Sequence, residues 1–329
     1  MSEYLWDRSG VPAPEVVDLE SRLAPLAFDP AARPLDLSAV TVTPPRTGRR
    51  LLATMLVTAA AIALLVTGAV LWHDWRLDWA PSEAWVVHGG GRLAEGAPLP
   101  VPATGARLDI ARLGVLSARP GTALMLESTG PRKHWLRMTR GSIDVRLWAP
   151  PGRVALHTPA GDVIDLGCIF SLDVEADGET RLQVHTGWVN LENAHGNTFV
   201  PAGASATMRA DRAPLVPVYD DAPAEFRAAV RAIEAAPLAP APDALARVTA
   251  EARPRDALTV LMLSDIEGLP RDPRTTLLRR LAEVQPPPSP QTVARVVAGD
   301  RDAFWTWFDS LPLPSLKNWW ANWQDVFPR

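Results

Sequence analysis

The sequence predicts a membrane-anchored α+β protein with one transmembrane helix, an all-β domain and a C-terminal α-helical region. Three observations lead to this fold class. Residues 51–72 carry no charged side chain; past Pro81, short segments alternate apolar and polar residues between Gly, Pro and Asp; and from Ala222 the apolar residues recur at steps of three or four. Alternation is the period of a strand, and three- to four-residue steps are the period of a helix. The elements are therefore expected in the order helix, strands, helices.

Composition limits the function classes. A chain of 329 residues leaves room for more than one compact unit, and its 33 prolines indicate many turns and linkers. A net charge of −4 with scattered arginines provides no basic field, so we expect no direct nucleic-acid partner. The single cysteine, Cys168, excludes an intramolecular disulfide and a thiolate zinc cluster. Because it lies in an apolar run, we expect it to be a buried core residue.

Residues 51–72 are the predicted membrane span, within a transmembrane region at 47–79. At a rise of 1.5 Å per residue the stretch covers about 33 Å, and a bilayer core is roughly 30 Å thick. It begins too far into the chain to be a cleaved signal peptide. Arg46, Arg49 and Arg50 precede it, whereas the charges that follow it balance. The positive-inside rule therefore predicts a single-pass protein with a cytoplasmic N-terminus.

Residues 1–46 form the predicted cytoplasmic tail. A short amphipathic helix is expected at 14–26, because Val16, Leu19, Leu23 and Leu26 recur at helical steps. A Pro-rich linker follows it. A helix this short is marginal alone in water, so its apolar face is predicted to bind a partner or the membrane surface. The alternative is a partly ordered tail with no binding role.

Residues 81–213 form the predicted β domain. Residues 136–145 and 182–191 both read as strand, glycine, strand, and each is followed by a Pro-Ala-Gly tripeptide. Such a repeat favours a repeat-built fold, either solenoid-like or sandwich-like. The predicted strands are 107–110, 114–117, 123–127, 134–138, 142–147, 153–158, 162–165, 170–175, 180–185, 188–192 and 197–200.

Four segments of this domain resemble a known family. They are Arg-Gly-Ser-Ile-Asp-Val at 140–145, His-Thr-Pro-Ala-Gly-Asp at 157–162, Asp-Leu-Gly-Cys-Ile-Phe-Ser-Leu-Asp-Val at 165–174 and Thr-Gly-Trp-Val at 186–189. In this order they resemble the FecR-like domain of bacterial transmembrane sensors and anti-sigma regulators. The resemblance implies an inner-membrane protein whose periplasmic β domain senses an envelope protein or ligand. It also implies a tail that controls an extracytoplasmic-function sigma factor.

Residues 222–329 form the predicted helical region. Helices are expected from 222 onward and at 257–266, 275–284, 290–297 and 302–310. The chain ends in a segment dense in tryptophan, and Trp319, Trp320 and Trp323 are candidate partner-binding residues. The plainer interpretation is that these rings clamp the last helices onto a core.

Motifs for catalysis are not found. The sequence has no GxGxxG before a helix, no GxxxxGK[ST], no HExxH and no GxSxG. We therefore predict a non-enzymatic protein without metal or cofactor. The leading hypothesis is a FecR-like regulator of a sigma factor. The rival is a membrane-anchored periplasmic binding or scaffold protein with no transcriptional role.

Overall fold

The computed structural model describes residues 10–27, 47–77, 85–110, 113–130, 133–147 and 151–314. The chain divides into two units, Met1–Gly68 and Ala69–Arg329.

The first described helix, α1, spans Pro14–Leu23, and a 3₁₀ turn continues it over Ala24–Leu26. Proline in the first turn suits a helix start, because its missing N–H would have no partner there. Glu15 in the first turn and Arg22 in the last complement the helix dipole. The second proline, Pro25, cannot donate a helical hydrogen bond, which accounts for the change to a 3₁₀ turn. The predicted helix at 14–26 thus has two parts.

The second helix, α2, spans Thr47–Leu77 and contains the predicted span. Its segment Met55–Trp72 has a mean hydropathy of 2.2, and no residue in that segment is buried. Among the described helices it is the one that is long and apolar enough to cross a membrane.

The second unit contains a curled β-sheet followed by helices, so the α+β class is confirmed. Within the described residues the sheet has 13 strands. They are β1 (Val86–Val87), β2 (Ala106–Ile110), β3 (Gly114–Ala118), β4 (Ala123–Thr129), β5 (His134–Leu147), β6 (Val154–Thr158), β7 (Gly161–Asp165), β8 (Ile169–Val174), β9 (Thr180–Thr186), β10 (Trp188–Asn193), β11 (Gly196–Pro201), β12 (Ala204–Met208) and β13 (Val218–Tyr219).

The sheet folds over on itself along β5. The first half of β5 pairs with β4 and β6, and its second half pairs with β3 and β8. We call the part containing β1, β2, β3, the second half of β5, β8, β9, β12 and β13 the front sheet. The back sheet contains β4, the first half of β5, β6, β7, β10 and β11. The pairing of β5 with β6 is parallel, and the other described pairings are antiparallel.

Two glycines allow the chain to pass from one sheet to the other. Gly141 (φ 99°) bends β5, and Gly187 (φ 77°) separates β9 from β10. They occupy equivalent places in the repeat predicted at 136–145 and 182–191. In both copies the glycine turns the strand onto the other sheet instead of reversing it in a hairpin.

Side chains from both sheets face a common core. Alternate residues are buried along strands such as β3, β8 and β9, as the two-residue period requires. The largest fully buried members include Trp85, Leu108, Leu116, Leu126, Leu136, Met138, Ile143 and Phe170. Cys168 is also fully buried in this core, as predicted.

The helices that follow form a second apolar cluster. They are α3 (Ala224–Ala235), α4 (Pro242–Glu251), α5 (Ala257–Ser264), α6 (Arg271–Val284), α7 (Thr292–Val297) and α8 (Arg301–Ser310). Trp188 and Phe199 of the back sheet pack into this cluster, so the helices are seated on the sheet. The Trp188 indole N–H also donates to the carbonyl oxygen of Pro314 at 2.9 Å, just beyond α8.

Candidate functional site

The predicted partner residues of the tail lie together on one face of α1 and its 3₁₀ turn. Val16 is half-buried. Leu19 is 55% exposed, Leu23 is 51% exposed and Leu26 is 78% exposed. We call these four residues the tail stripe. No residue of α1 is buried. Among the described residues, therefore, nothing covers this apolar surface.

The remaining surface of α1 is polar. Arg22 and Asp18 form an exposed ion pair at 3.0 Å, and the Ser21 hydroxyl donates to the Asp18 carbonyl at 2.8 Å. Ser21 lies on the opposite side of the helix from the stripe, since each residue turns the helix by about 100°. Val17, which the sequence reasoning did not select, is 49% exposed and lies one turn before Ser21 on the side away from the stripe. The other three predicted partner residues, Trp319, Trp320 and Trp323, lie outside the described residues.

A large groove lies in the second unit, where the β11 hairpin meets the helices. Its volume is about 660 Å³, within the usual range for ligand sites. We call it the junction groove. Apolar and aromatic side chains make most of its wall, with Leu238 and Trp305 exposed at the rim by 76% and 38%. The other apolar walls come from Phe199, Leu215, Met262, Ile266 and Phe304.

A buried carboxylate also lines the groove. The Glu234 carboxylate accepts from the Val216 N–H at 2.6 Å and from Arg231 at 2.5 Å. Burial raises the pKa of Glu234, although Arg231 acts in the opposite direction. Thr198 alternates with Phe199 along β11, so its side chain lies on the face of the core residue Val200 and not in the groove.

The aromatic rim is held by α8. The Arg301 guanidinium lies 4.8 Å from the Phe304 ring and 5.7 Å from the Trp305 ring, and it pairs with Asp265 at 2.5 Å. Trp307, on the same helix, is fully buried in the apolar cluster of the helices. This ring therefore packs α8 against the other helices. The groove has a form that suits a ligand or a peptide. Sequence reasoning missed it because its walls come from five separate segments.

The described residues offer no group of three or more His, Cys, Asp and Glu side chains placed to hold a metal ion. Cys168 instead belongs to a tight turn, in which its backbone N–H donates to the buried Asp165 carboxylate at 2.9 Å and its thiol contacts the same oxygen.

Comparison with known proteins gives partial matches to solved structures. No family model and no curated protein matches the chain. Two crystal structures of a "putative anti-sigma factor" from Parabacteroides distasonis are similar to part of it. The first is 17% identical with a TM-score of 0.28 and covers 43% of this chain and 63% of the solved chain. The second is 15% identical with a TM-score of 0.26 and covers 45% and 65%. The chain spans less than two thirds of the length of both solved chains.

Proposed function

We propose that the chain is a single-pass, FecR-like regulator of the bacterial inner membrane. Its tail holds a cytoplasmic sigma factor, and its β-rich unit receives an envelope signal in the periplasm. The observation that carries the proposal is the uncovered tail stripe, which lies on the N-terminal side of the apolar helix α2.

The stripe has the chemistry of a helix that docks into a groove. Leu19, Leu23 and Leu26 are each at least half exposed. Complete burial of a leucine side chain is worth about 1.5–3 kcal/mol, so their burial on a partner provides a substantial driving force. A helix of this length is marginal in isolation, and binding would therefore also stabilise it. The partner is expected to present an apolar groove.

Helix α2 connects the stripe to the signal-receiving unit. Its segment Met55–Trp72 is uncharged, apolar and unburied, which are the properties of a lipid-facing span. The arginines before it favour a cytoplasmic tail. In the proposed mechanism, an envelope partner binds two arrangements of the outer unit unequally and so shifts the population of tail states. The junction groove is the proposed place for that partner, because it combines apolar walls with the Glu234 carboxylate.

The family-like segments occupy the positions that shape the sheet. Gly141 and Gly187 are the two corners, and Pro159-Ala160 forms the turn between β6 and β7. In that turn the Thr158 hydroxyl donates to the Gly161 carbonyl at 2.8 Å. The segments that resemble the FecR-like domain therefore contain the residues that set the path of the chain, and this supports a FecR-like fold.

A pull-down with residues 1–46 as bait tests the proposal. We expect the wild-type bait to recover a sigma factor from a lysate of the source bacterium and Leu23→Asp or Leu19→Asp to lose it, because a charge on the stripe cannot enter an apolar groove. Ser21→Asp adds the same charge to the opposite face and is the matched control.

Two outcomes of the pull-down would contradict the proposed role as a sigma-factor regulator. Recovery of the sigma factor by Leu23→Asp as well as by wild type would show that the stripe is not the contact. Recovery of no sigma factor or other transcription regulator by the wild-type bait favours the rival, an anchored binding or scaffold protein.

A further inference from the structure

A second, smaller groove lies on the outer face of the front sheet, away from the core. Its volume is about 220 Å³, and it crosses β2, β3, the second half of β5 and β8. We call it the sheet groove. The side chains that line it are Arg107, Val115, Ser117, Asp144, Arg146 and Ile169.

Strand register places these side chains on one face. Arg107 pairs with Ser117, and Ser117 pairs with Asp144, while Val115 pairs with Arg146. The alternate residues Leu108, Leu116 and Val145 point into the core and are at most 1% exposed. The two arginines therefore lie on the two strands that neighbour β3, on the same face of the sheet. Their Cα atoms are about 10–12 Å apart for a strand spacing of 4.8 Å. Their long side chains can reach one ligand from opposite sides.

The two carboxylates nearest the groove are already engaged. Asp144 lies 3.5 Å from Arg119 and accepts a hydrogen bond from the Ser171 hydroxyl at 2.6 Å. Asp109, beside the groove, is bonded to His88 at 2.8 Å.

The arginines are not engaged. Within the described part of the chain, neither Arg107 nor Arg146 forms a side-chain hydrogen bond or an ion pair, and both are exposed. The groove thus holds two guanidinium groups whose donors are unused.

The floor between the arginines comes from β3, where the half-buried Val115 is the apolar side chain and Ser117 is the polar one. Asp144 of β5 pairs with Ser117, and Ile169 of β8 lies on the far side of Arg146. A planar guanidinium binds carboxylate or phosphate oxygens in pairs, and the Val115 side chain suits the C–H face of a ring.

We infer that the sheet groove binds a carboxylate or phosphate group carried on a compact ring, of the size of one sugar acid or sugar phosphate. Arg107 and Arg146 bind the oxyanion, and the ring packs on Val115. This site is separate from the tail stripe and from the junction groove, so it adds a ligand to the proposed regulator.

Titration calorimetry on the full chain in lipid nanodiscs tests the inference. The probes are glucuronate, glucose 1-phosphate and neutral glucose. We expect saturable binding of at least one anionic probe and none of glucose. The two anionic arms decide between carboxylate and phosphate as the preferred group.

Variants assign the binding to the groove. We expect Arg107→Gln and Arg146→Gln each to weaken binding about tenfold, since hydrogen bonds to charged groups are lost. Arg140→Gln is the matched control, because Arg140 is exposed, equally unpaired among the described residues and outside the groove. Unchanged thermal midpoints show that the variants fold. The inference is overturned if neither anion binds saturably, if glucose binds as well as the anions do, or if the double variant Arg107→Gln/Arg146→Gln retains wild-type affinity.

Discussion

His134, the first residue of β5, is a buried histidine held in its neutral form. It is 1% exposed, and its Nδ1 lies 2.8 Å from the Thr129 hydroxyl. That hydroxyl oxygen also accepts from the Trp85 indole N–H at 3.0 Å. Burial, followed by the charge of Arg153, lowers the pKa of His134 to about 4. Protonation would place a charge in this buried position, where it is poorly solvated.

The free energy of unfolding should therefore depend on pH through the protonation of His134. The unfolded pKa is 6.5 and the folded pKa is about 4, so the unfolded state binds the extra proton between these values. The contribution of the neutral ring is complete above about pH 6.5 and is lost as the pH falls toward 4. We expect the thermal midpoint to fall between pH 7.5 and pH 5 more steeply for wild type than for His134→Asn, as followed by near-UV circular dichroism. Exposed His195→Asn is the control, and parallel curves for wild type and His134→Asn would rule this account out.

Arg253 holds the helices to the end of the sheet through a partly buried network. It donates from Nε and Nη2 to Asp256 at 2.7 and 2.9 Å, and from Nη2 to Asp221 at 3.0 Å. Asp256 is fully buried. The hydrogen bonds to Asp256 raise the pKa of Arg253, so its guanidinium is charged throughout the accessible pH range.

Removal of the Arg253 side chain should be costly. Arg253→Met leaves the Asp256 carboxylate buried without its cation, and we expect a loss of about 3 kcal/mol in the free energy of unfolding. Arg247→Met is the control, since Arg247 is 52% exposed and lies 3.8 Å from Glu251. It should change stability by less than about 0.5 kcal/mol. Denaturant titration measures both, and equal losses would contradict the role given to Arg253.

At the scale of elements, the two glycine corners decide how the sheet folds over. A Cβ at Gly187 would lie 2.3 Å from the Gly167 carbonyl oxygen, and one at Gly141 would lie 2.5 Å from the Cα of Thr122. Both positions have positive φ, which glycine adopts without steric cost. No other residue fits the corners without movement of the backbone.

A pair of substitutions separates the cost of backbone strain at positive φ from the cost of a steric clash at the Cβ position. Gly121 has φ 83° with nothing within 4 Å of its Cβ position, whereas Gly187 has both positive φ and the close carbonyl. We expect Gly121→Ala to cost about 1 kcal/mol from backbone strain alone. Gly187→Ala should cost at least about 3 kcal/mol or prevent folding. Soluble yield and thermal midpoint report both, and equal effects would show that the close approach does not matter.

Local sequence patterns predicted most helices and strands. They missed elements that are very short or that have few buried apolar residues. Alternation identified the core strands, but β1 and β13 have two residues each, too few for a period. Helix α4 was missed because Ala244 and Val248 are its only buried residues, and they make a faint stripe. The sequence also predicts two strands, at 134–138 and 142–147, where the structure has the single strand β5. Gly141 bends this strand while its pairing with Val174 continues.

The candidate sites also differ in how far the sequence predicts them. The tail stripe follows from periodicity within one helix, so the sequence predicted its residues. The two grooves are assembled from distant segments: Arg107 and Arg146 meet only through the pairing of β2, β3 and β5. No local motif contains that information, because register is set by the whole sheet.

At the scale of the whole molecule, the proposed function requires one helix to connect two separate binding events. A ligand in the outer unit influences the tail only if its affinity differs between two states of the chain. The amphipathic α1 helix suits this role, because its marginal stability makes its occupancy responsive to small changes in free energy.

The central claim is that the tail controls transcription, and comparison of transcript profiles tests it most directly. Four strains of the source organism are needed: one lacking the whole chain, one lacking residues 1–46 alone, one carrying Leu23→Asp, and one carrying Ser21→Asp as the control. The account predicts that the same set of transcripts, sharing promoters of one alternative sigma factor, changes in the first three strains and not in the control. Unaltered transcription in both deletion strains would contradict it.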